Sequence, residues 1–106
     1  MVNKENHNIP WSVFTASFLW HLGVRHACIS PGARNSPLTF AFTEHSKIKC
    51  FSHVDERSSA FFALGLAKSS QKPVVLISTS GTAPANFYPA VIEASISRVS
   101  LMILSA

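Results

Sequence analysis

Charge is scarce in this chain. Only 13% of its 106 residues are Asp, Glu, Lys or Arg, while 47% are hydrophobic. That balance excludes a disordered segment and implies that another domain or subunit covers much of the surface. The net charge of +4 is carried by Lys4, Arg25, Arg34, Lys47, Lys49, Arg57, Lys68, Lys72 and Arg98, which are scattered. A nucleic-acid binder gathers its cations on one face or stripe, so nucleic acid is not an expected partner. Cysteine is also rare, with Cys28 and Cys50 alone. Two thiols without close spacing make neither a zinc site nor a disulfide framework; both fall within apolar strands and read as small buried hydrophobes. No apolar run reaches membrane-spanning length. The polar opening MVNKENHNIP lacks the apolar core of a signal peptide, so the cytoplasm is the expected compartment.

What is present is an alternation of apolar strands and helices. Residues 1–9 read as a tail and 10–106 as one domain, a length that can bury a real core. Trp11, Phe14, Phe18 and Leu22 fall at helical spacing, with Pro10 suited to a first turn and Gly23 to a stop. A strand over 26–30 leads into a loop rich in Pro, Gly and Asn, after which Ser36 caps a helix running to about residue 45, with Pro37 at its first position. A second strand covers 48–53, and Asp55 caps a helix carrying Ala60, Phe61, Ala63, Leu64 and Ala67. The third strand, 74–79, is apolar without alternation and is expected to be buried on both faces. A fourth helix over 83–97 should kink or restart at Pro89, which lacks the amide that would bond back to Ala85. A last strand covers 101–104. Short apolar strands joined by helices predict a parallel, doubly wound α/β sheet with right-handed crossovers. Such a sheet would cover its last strand with a further helix, so the sequence reads as the front part of a longer protein, cut after the fourth strand.

Ligands of open parallel sheets bind beyond the carboxyl ends of the strands, where three loops of this chain fall. Residues 30–35 offer Arg34, a planar cation suited to carboxylate or phosphate, although a loop cation is also often only solvated. Residues 53–57 offer Glu56. A first-turn acid can simply answer the helix dipole, but Asp55 already does so as a cap, which leaves Glu56 partly spare. Residues 79–86 offer backbone amides, the hydroxyls of Thr79, Ser80 and Thr82, the tight turn at Gly81, and Asn86. This turn has neither GxGxxG spacing nor a P-loop lysine. His53 stands as a general base or as a strand-end structural group. The other histidines show no metal-ligand spacing, and no Ser-His-Asp set can be assigned from sequence order.

Several ordered blocks together resemble a known family. They are Ser30-Pro-Gly-Ala-Arg-Asn-Ser-Pro-Leu38, Asp55-Glu-Arg57, Ala63-Leu-Gly-Leu-Ala-Lys68, Thr79-Ser-Gly-Thr-Ala83, Asn86-Phe-Tyr-Pro-Ala90 and Ile92-Glu-Ala94. From Trp11 onward the chain is similar to the N-terminal, pyrimidine-binding domain of thiamine-diphosphate-dependent enzymes. Within that family it is most similar to the synthases of menaquinone and phylloquinone biosynthesis. Acetolactate synthases and related decarboxylases carry Thr-Ser-Gly-Pro-Gly at the turn and no arginine after the glutamate; here the turn is Thr-Ser-Gly-Thr-Ala and the acid lies in Asp-Glu-Arg.

The resemblance implies that Glu56 is the catalytic carboxylate, bonded to N1′ of the cofactor's aminopyrimidine and promoting proton loss from thiazolium C2. Phe61, Phe62 and Leu64 would give it an apolar flank. It implies that Thr79, Ser80, Gly81, Thr82 and Asn86 line the cofactor's pyrimidine side, and that Arg34 and Asn35 meet the substrate. The implied reaction decarboxylates 2-oxoglutarate and adds the product to isochorismate, in a homodimer or homotetramer. Thiamine diphosphate and Mg²⁺ would be held mainly by a later domain, since no Gly-Asp-Gly…Asn metal motif occurs here, and the chain alone is expected to be inactive. The family commonly has serine at the position of Ala33, so a hydroxyl open to substrate is lost; Pro84, in a first helical turn, is a harmless variation. Two other readings stay open: another carboligase or decarboxylase of the family, acetolactate-synthase-like, and a non-catalytic α/β fragment.

Overall fold

The computed structural model describes residues 7–106. Most of the expected tail over 1–9 lies outside the described residues. The first helix, α1, spans Asn8–His21 and so begins before Pro10, which then occupies a first turn whose amides need no helical partner. It stops as expected: Gly23 takes φ +108°, a left-handed conformation that other residues rarely adopt, and its amide donates to the Trp20 carbonyl at 3.0 Å. The aromatic stripe that marks this helix is not the face that packs. Ser12, Ala16 and Leu19 are buried, whereas Trp11, Phe14, Phe18 and Leu22 are all more than half exposed.

Four strands follow, β1 His26–Ile29, β2 Lys49–Ser52, β3 Val74–Ser78 and β4 Leu101–Ser105. They pair in parallel in the order β2-β1-β3-β4, so the expected parallel α/β sheet is what forms. All five residues of β3 are buried, as its unbroken apolar run required. Side chains alternate across the sheet and divide the core into two clusters. On one face Ala27, Ile29, Val75 and Ile77 meet α1 and the helix α2, Ser36–Glu44. On the other, Cys28, Val74 and Leu76 meet α3, Glu56–Ser70, and α4, Tyr88–Ser97. Phe42 and Phe87 are the largest fully buried side chains, one in each cluster; each contributes roughly 1.5–3 kcal/mol by leaving water. Trp20 closes the end of α1, with the Arg25 guanidinium 4.7 Å and the Lys47 ammonium 5.0 Å from its ring.

Three local expectations need correction. The cap of α2 is Asn35, not Ser36. The Ser36 hydroxyl turns back to donate to the Ala33 carbonyl at 2.9 Å, so it is not placed to accept from the first turn. The single helix expected over 83–97 is split into a 3-10 turn, Pro84–Phe87, and α4 proper. Pro89 sits in the first turn of α4, where its missing amide costs nothing. Cys50, expected inside a buried strand, is only half-buried because β2 is an edge strand.

Candidate functional site

The three candidate loops leave the carboxyl ends of β2, β1 and β3, which are neighbours in the sheet. From β1 the chain passes to β2 on one side and then returns to β3 on the other. That reversal creates a crevice outside the strand ends. Backbone bonds continue the ladder into the loops: Ser30 N–H donates to the Ile77 carbonyl, and His53 N–H to the Ile29 carbonyl, each at 3.0 Å.

Glu56 is the first residue of α3. Asp55 precedes it in extended conformation, and its Oδ2 accepts from both the amide and the hydroxyl of Ser58 at 2.8 Å. Those two bonds, side-chain first, with the nearby Arg57 charge, hold the Asp55 carboxyl below its ordinary range. With the helix start satisfied by Asp55, Glu56 is half-buried and makes no hydrogen bond or ion pair among the described residues. It is therefore an available carboxylate, as its position beside a better cap suggested. The apolar flank is only partly formed in this chain. Leu64 is buried, but Phe61 and Phe62 are about 40% exposed. His53 packs its ring 4.9 Å from Phe62, and its buried Nδ1 has no partner; it sits among rings, which favours the structural of its two readings.

Arg34 is exposed, as a carboxylate-binding cation should be. It lines a concavity of about 410 Å³ together with Trp11, Thr15, Pro37, Leu38 and Ala106. Glu56, Thr79, Ser80, Gly81, Thr82 and Asn86 do not line that space, so this chain does not bring its arginine and its glutamate into one pocket. Asn35 departs further from expectation. It is wholly buried; its Oδ1 accepts from Gly32 N–H at 2.8 Å and its Nδ2 donates to the Ser30 carbonyl at 2.9 Å. A side chain so enclosed shapes its loop and cannot touch a substrate.

The turn after β3 is open. Ser80, Gly81 and Thr82 are exposed and Thr79 is half-buried. Gly81 adopts φ +80°, so a side chain there would be strained. The Asn86 Nδ2 donates to the Thr82 carbonyl at 3.0 Å, which braces the turn while the residue stays exposed. Sequence reasoning missed Gly32. A Cβ built on it would lie 2.6 Å from the Thr79 Cβ, so only glycine lets the first loop rest on the third. No sequence signal marks that contact beyond a glycine in a loop.

Among the described residues no group of three His, Cys, Asp or Glu could hold a metal ion, and no helix is long and apolar enough to cross a membrane. Another concavity, about 510 Å³, lies at the opposite end of the sheet, lined by Lys68, Lys72 and Arg98 among others. Lys68 lies in the last turn of α3 and Arg98 caps α4, where cations offset helix dipoles.

Comparison with known proteins agrees with this geometry. A relative from Trichodesmium erythraeum (strain IMS101), a 2-succinyl-5-enolpyruvyl-6-hydroxy-3-cyclohexene-1-carboxylate synthase, is 56% identical over 99% of this chain. A synthase of the same name from Listeria innocua serovar 6a is 50% identical over 95% of it. The chain spans only 18% of the length of either relative. Among solved structures, benzoylformate decarboxylase from Polynucleobacter necessarius superposes with a TM-score of 0.75 at 23% identity, covering 92% of this chain and 18% of that one; that likeness shows the fold. Residues 13–106 match the family described as thiamine pyrophosphate enzyme, N-terminal TPP binding domain. The match takes in every strand and all three strand-end loops, and the chain belongs to that family.

Proposed function

We propose that this chain is the pyrimidine-side half of the active site of a synthase that decarboxylates 2-oxoglutarate and joins the product to isochorismate in menaquinone biosynthesis. The observation that carries this reading is Glu56, a carboxylate without a hydrogen bond or ion pair among the described residues, at the start of a helix whose first turn the Asp55 cap satisfies. The relatives' shared name and the Asp55-Glu56-Arg57 block support this choice of substrates.

The residues present suit the cofactor's pyrimidine: a free acid for a ring nitrogen, and an exposed Thr79–Thr82 turn braced by Asn86. Thiamine diphosphate, when bound, supplies a thiazolium carbon that becomes nucleophilic on losing its proton. Glu56 would hold a proton at N1′ of the aminopyrimidine and so ease that loss. Thr79, Ser80, Gly81 and Thr82 would orient the ring from the neighbouring strand end. Arg34 would bind a substrate carboxylate, for which its planar fork is suited. The residues present do not fit a Mg²⁺ ion, so the diphosphate and its metal fall to chain outside these residues, and a homodimer or homotetramer supplying that domain is part of the proposal.

The test is Glu56→Gln in a full-length synthase carrying this chain as its N-terminal segment. Exchange of the cofactor's C2 proton should slow about 100-fold or more, with the cofactor still bound. Exchange near the parent rate would remove Glu56 from this role.

A further inference from the structure

We infer that Asn35 and Gly32 together form a positioning device that fixes the Arg34 loop against the Thr79 turn, so that the substrate side and the cofactor side of the crevice keep one spacing. This inference rests on the function proposed above. It is carried by three observations that meet in one loop.

The first is the bracket made by Asn35. Its buried amide ties Gly32 N–H at 2.8 Å to the Ser30 carbonyl at 2.9 Å, which folds residues 30–35 onto themselves and forces Arg34 outward. The same residue caps α2, and its own carbonyl accepts from Thr39 N–H at 2.9 Å. The backbone at Arg34 is therefore held immediately beside a helix start, while its side chain stays exposed. The second is the close approach of Gly32 to Thr79, where an added Cβ would meet the Thr79 Cβ at 2.6 Å and Cγ2 at 3.0 Å. Both belong to the short Thr79 side chain, whose Cβ cannot move without its backbone, so the Gly32 backbone rests directly on Thr79. The third is that Thr79 is itself anchored. Its carbonyl accepts from the Ser78 hydroxyl at 3.1 Å and from the Ser105 hydroxyl at 3.5 Å. Thr79 therefore gives the first loop a fixed seat, and a change within residues 30–35 shifts Arg34 before it shifts the turn.

A buried asparagine can also serve stability alone, since leaving its partners unpaired is costly whatever the loop does. The two roles differ in what they change. A positioning role alters where Arg34 stands relative to the reacting centre, and small misplacements of that kind are felt steeply in substrate use. It leaves untouched the proton chemistry of Glu56, which stands on a different helix.

The experiment uses a full-length synthase carrying this chain, with Asn35→Ala, Asn35→Asp and Gly32→Ala. The aspartate variant keeps an acceptor for Gly32 N–H but buries a carboxylate against the Ser30 carbonyl, so the folded fraction of each variant is read by circular dichroism beside the kinetics. Asn35→Ala and Asn35→Asp should each raise KM for the acid substrates about ten- to hundredfold, and the folded fraction of both should exchange the C2 proton at the parent rate. Gly32→Ala, which displaces Thr79, should weaken cofactor binding as well as substrate KM. Unchanged KM in both Asn35 variants, or exchange and turnover falling together in proportion to lost folded protein, would overturn the inference while leaving the functional reading in place. Parent protein whose C2 exchange is insensitive to Glu56→Gln would sink the functional reading, and this inference with it.

Discussion

Cys28 shows how far a single residue is governed by its place in the sheet. Burial first, and the Cys50 thiol second, push its pKa up to about 12 from 9.0, so the folded chain keeps the thiol protonated where the unfolded chain would ionise it. Above pH 9 the unfolded state therefore holds fewer protons than the native one, and stability falls as pH rises. The loss tied to this residue should approach about 1.4 kcal/mol per pH unit between the two pKa values. Denaturant titrations of the parent and Cys28→Val at several alkaline pH values check this; the variant should show a shallower decline, and equal slopes would refute it. That Cys28 is a buried hydrophobe was legible from its apolar surroundings. Glu56 was legible too, because Asp55 is visibly the better cap. Asn35 was not: a polar residue in a Pro-Gly loop reads as exposed, and only folding reveals that its amide is spent on Gly32 and Ser30.

At the scale of elements, α3 depends on its first turn. Asp55 has a lowered pKa because Ser58 donates twice to its carboxylate. Its stabilising effect is thus complete above the ordinary carboxyl value of 3.8 and is lost as pH falls through the lower, folded value. Asp55→Ala should speed amide exchange at residues 56–59 at neutral pH, and the difference in thermal stability from the parent should shrink in acid. A gap that stays constant down to pH 2 would show that the cap is not the source. The order of elements followed from the strand and helix patterns, and β3 from its unbroken apolar run. The direction in which a helix faces did not. Periodicity says that Trp11, Phe14 and Phe18 share a side of α1, but the other side, with the small Ser12 and Ala16, is the one buried, and it allows α1 to pack closely against α2. Pro89 was read as a break, yet its position relative to the restart depended on Pro84 opening a 3-10 turn first.

The molecule as a whole exposes an unusual share of apolar surface, on α1, along Phe61 and Phe62, and at Tyr88, Ile92 and Ile96. Scarce charge had already implied covered faces. Under the proposed function the site is correspondingly shared with chain outside these residues, since no group of metal ligands occurs among the described residues. Isothermal calorimetry on the 106-residue chain should show no tight, Mg²⁺-dependent binding of thiamine diphosphate, and a micromolar, Mg²⁺-dependent isotherm would contradict the proposed division of labour. The two rims of the sheet also differ in character. On β2, Lys49 and Ser52 are both exposed, and a lysine on an outer strand repels intruding chains. On β4 the run Leu-Met-Ile-Leu carries no charge, and Ile103 is 40% exposed. One rim is guarded and the other carries no charge, so in the 106-residue chain by itself strand addition is expected at Leu101–Ser105 and not at β2.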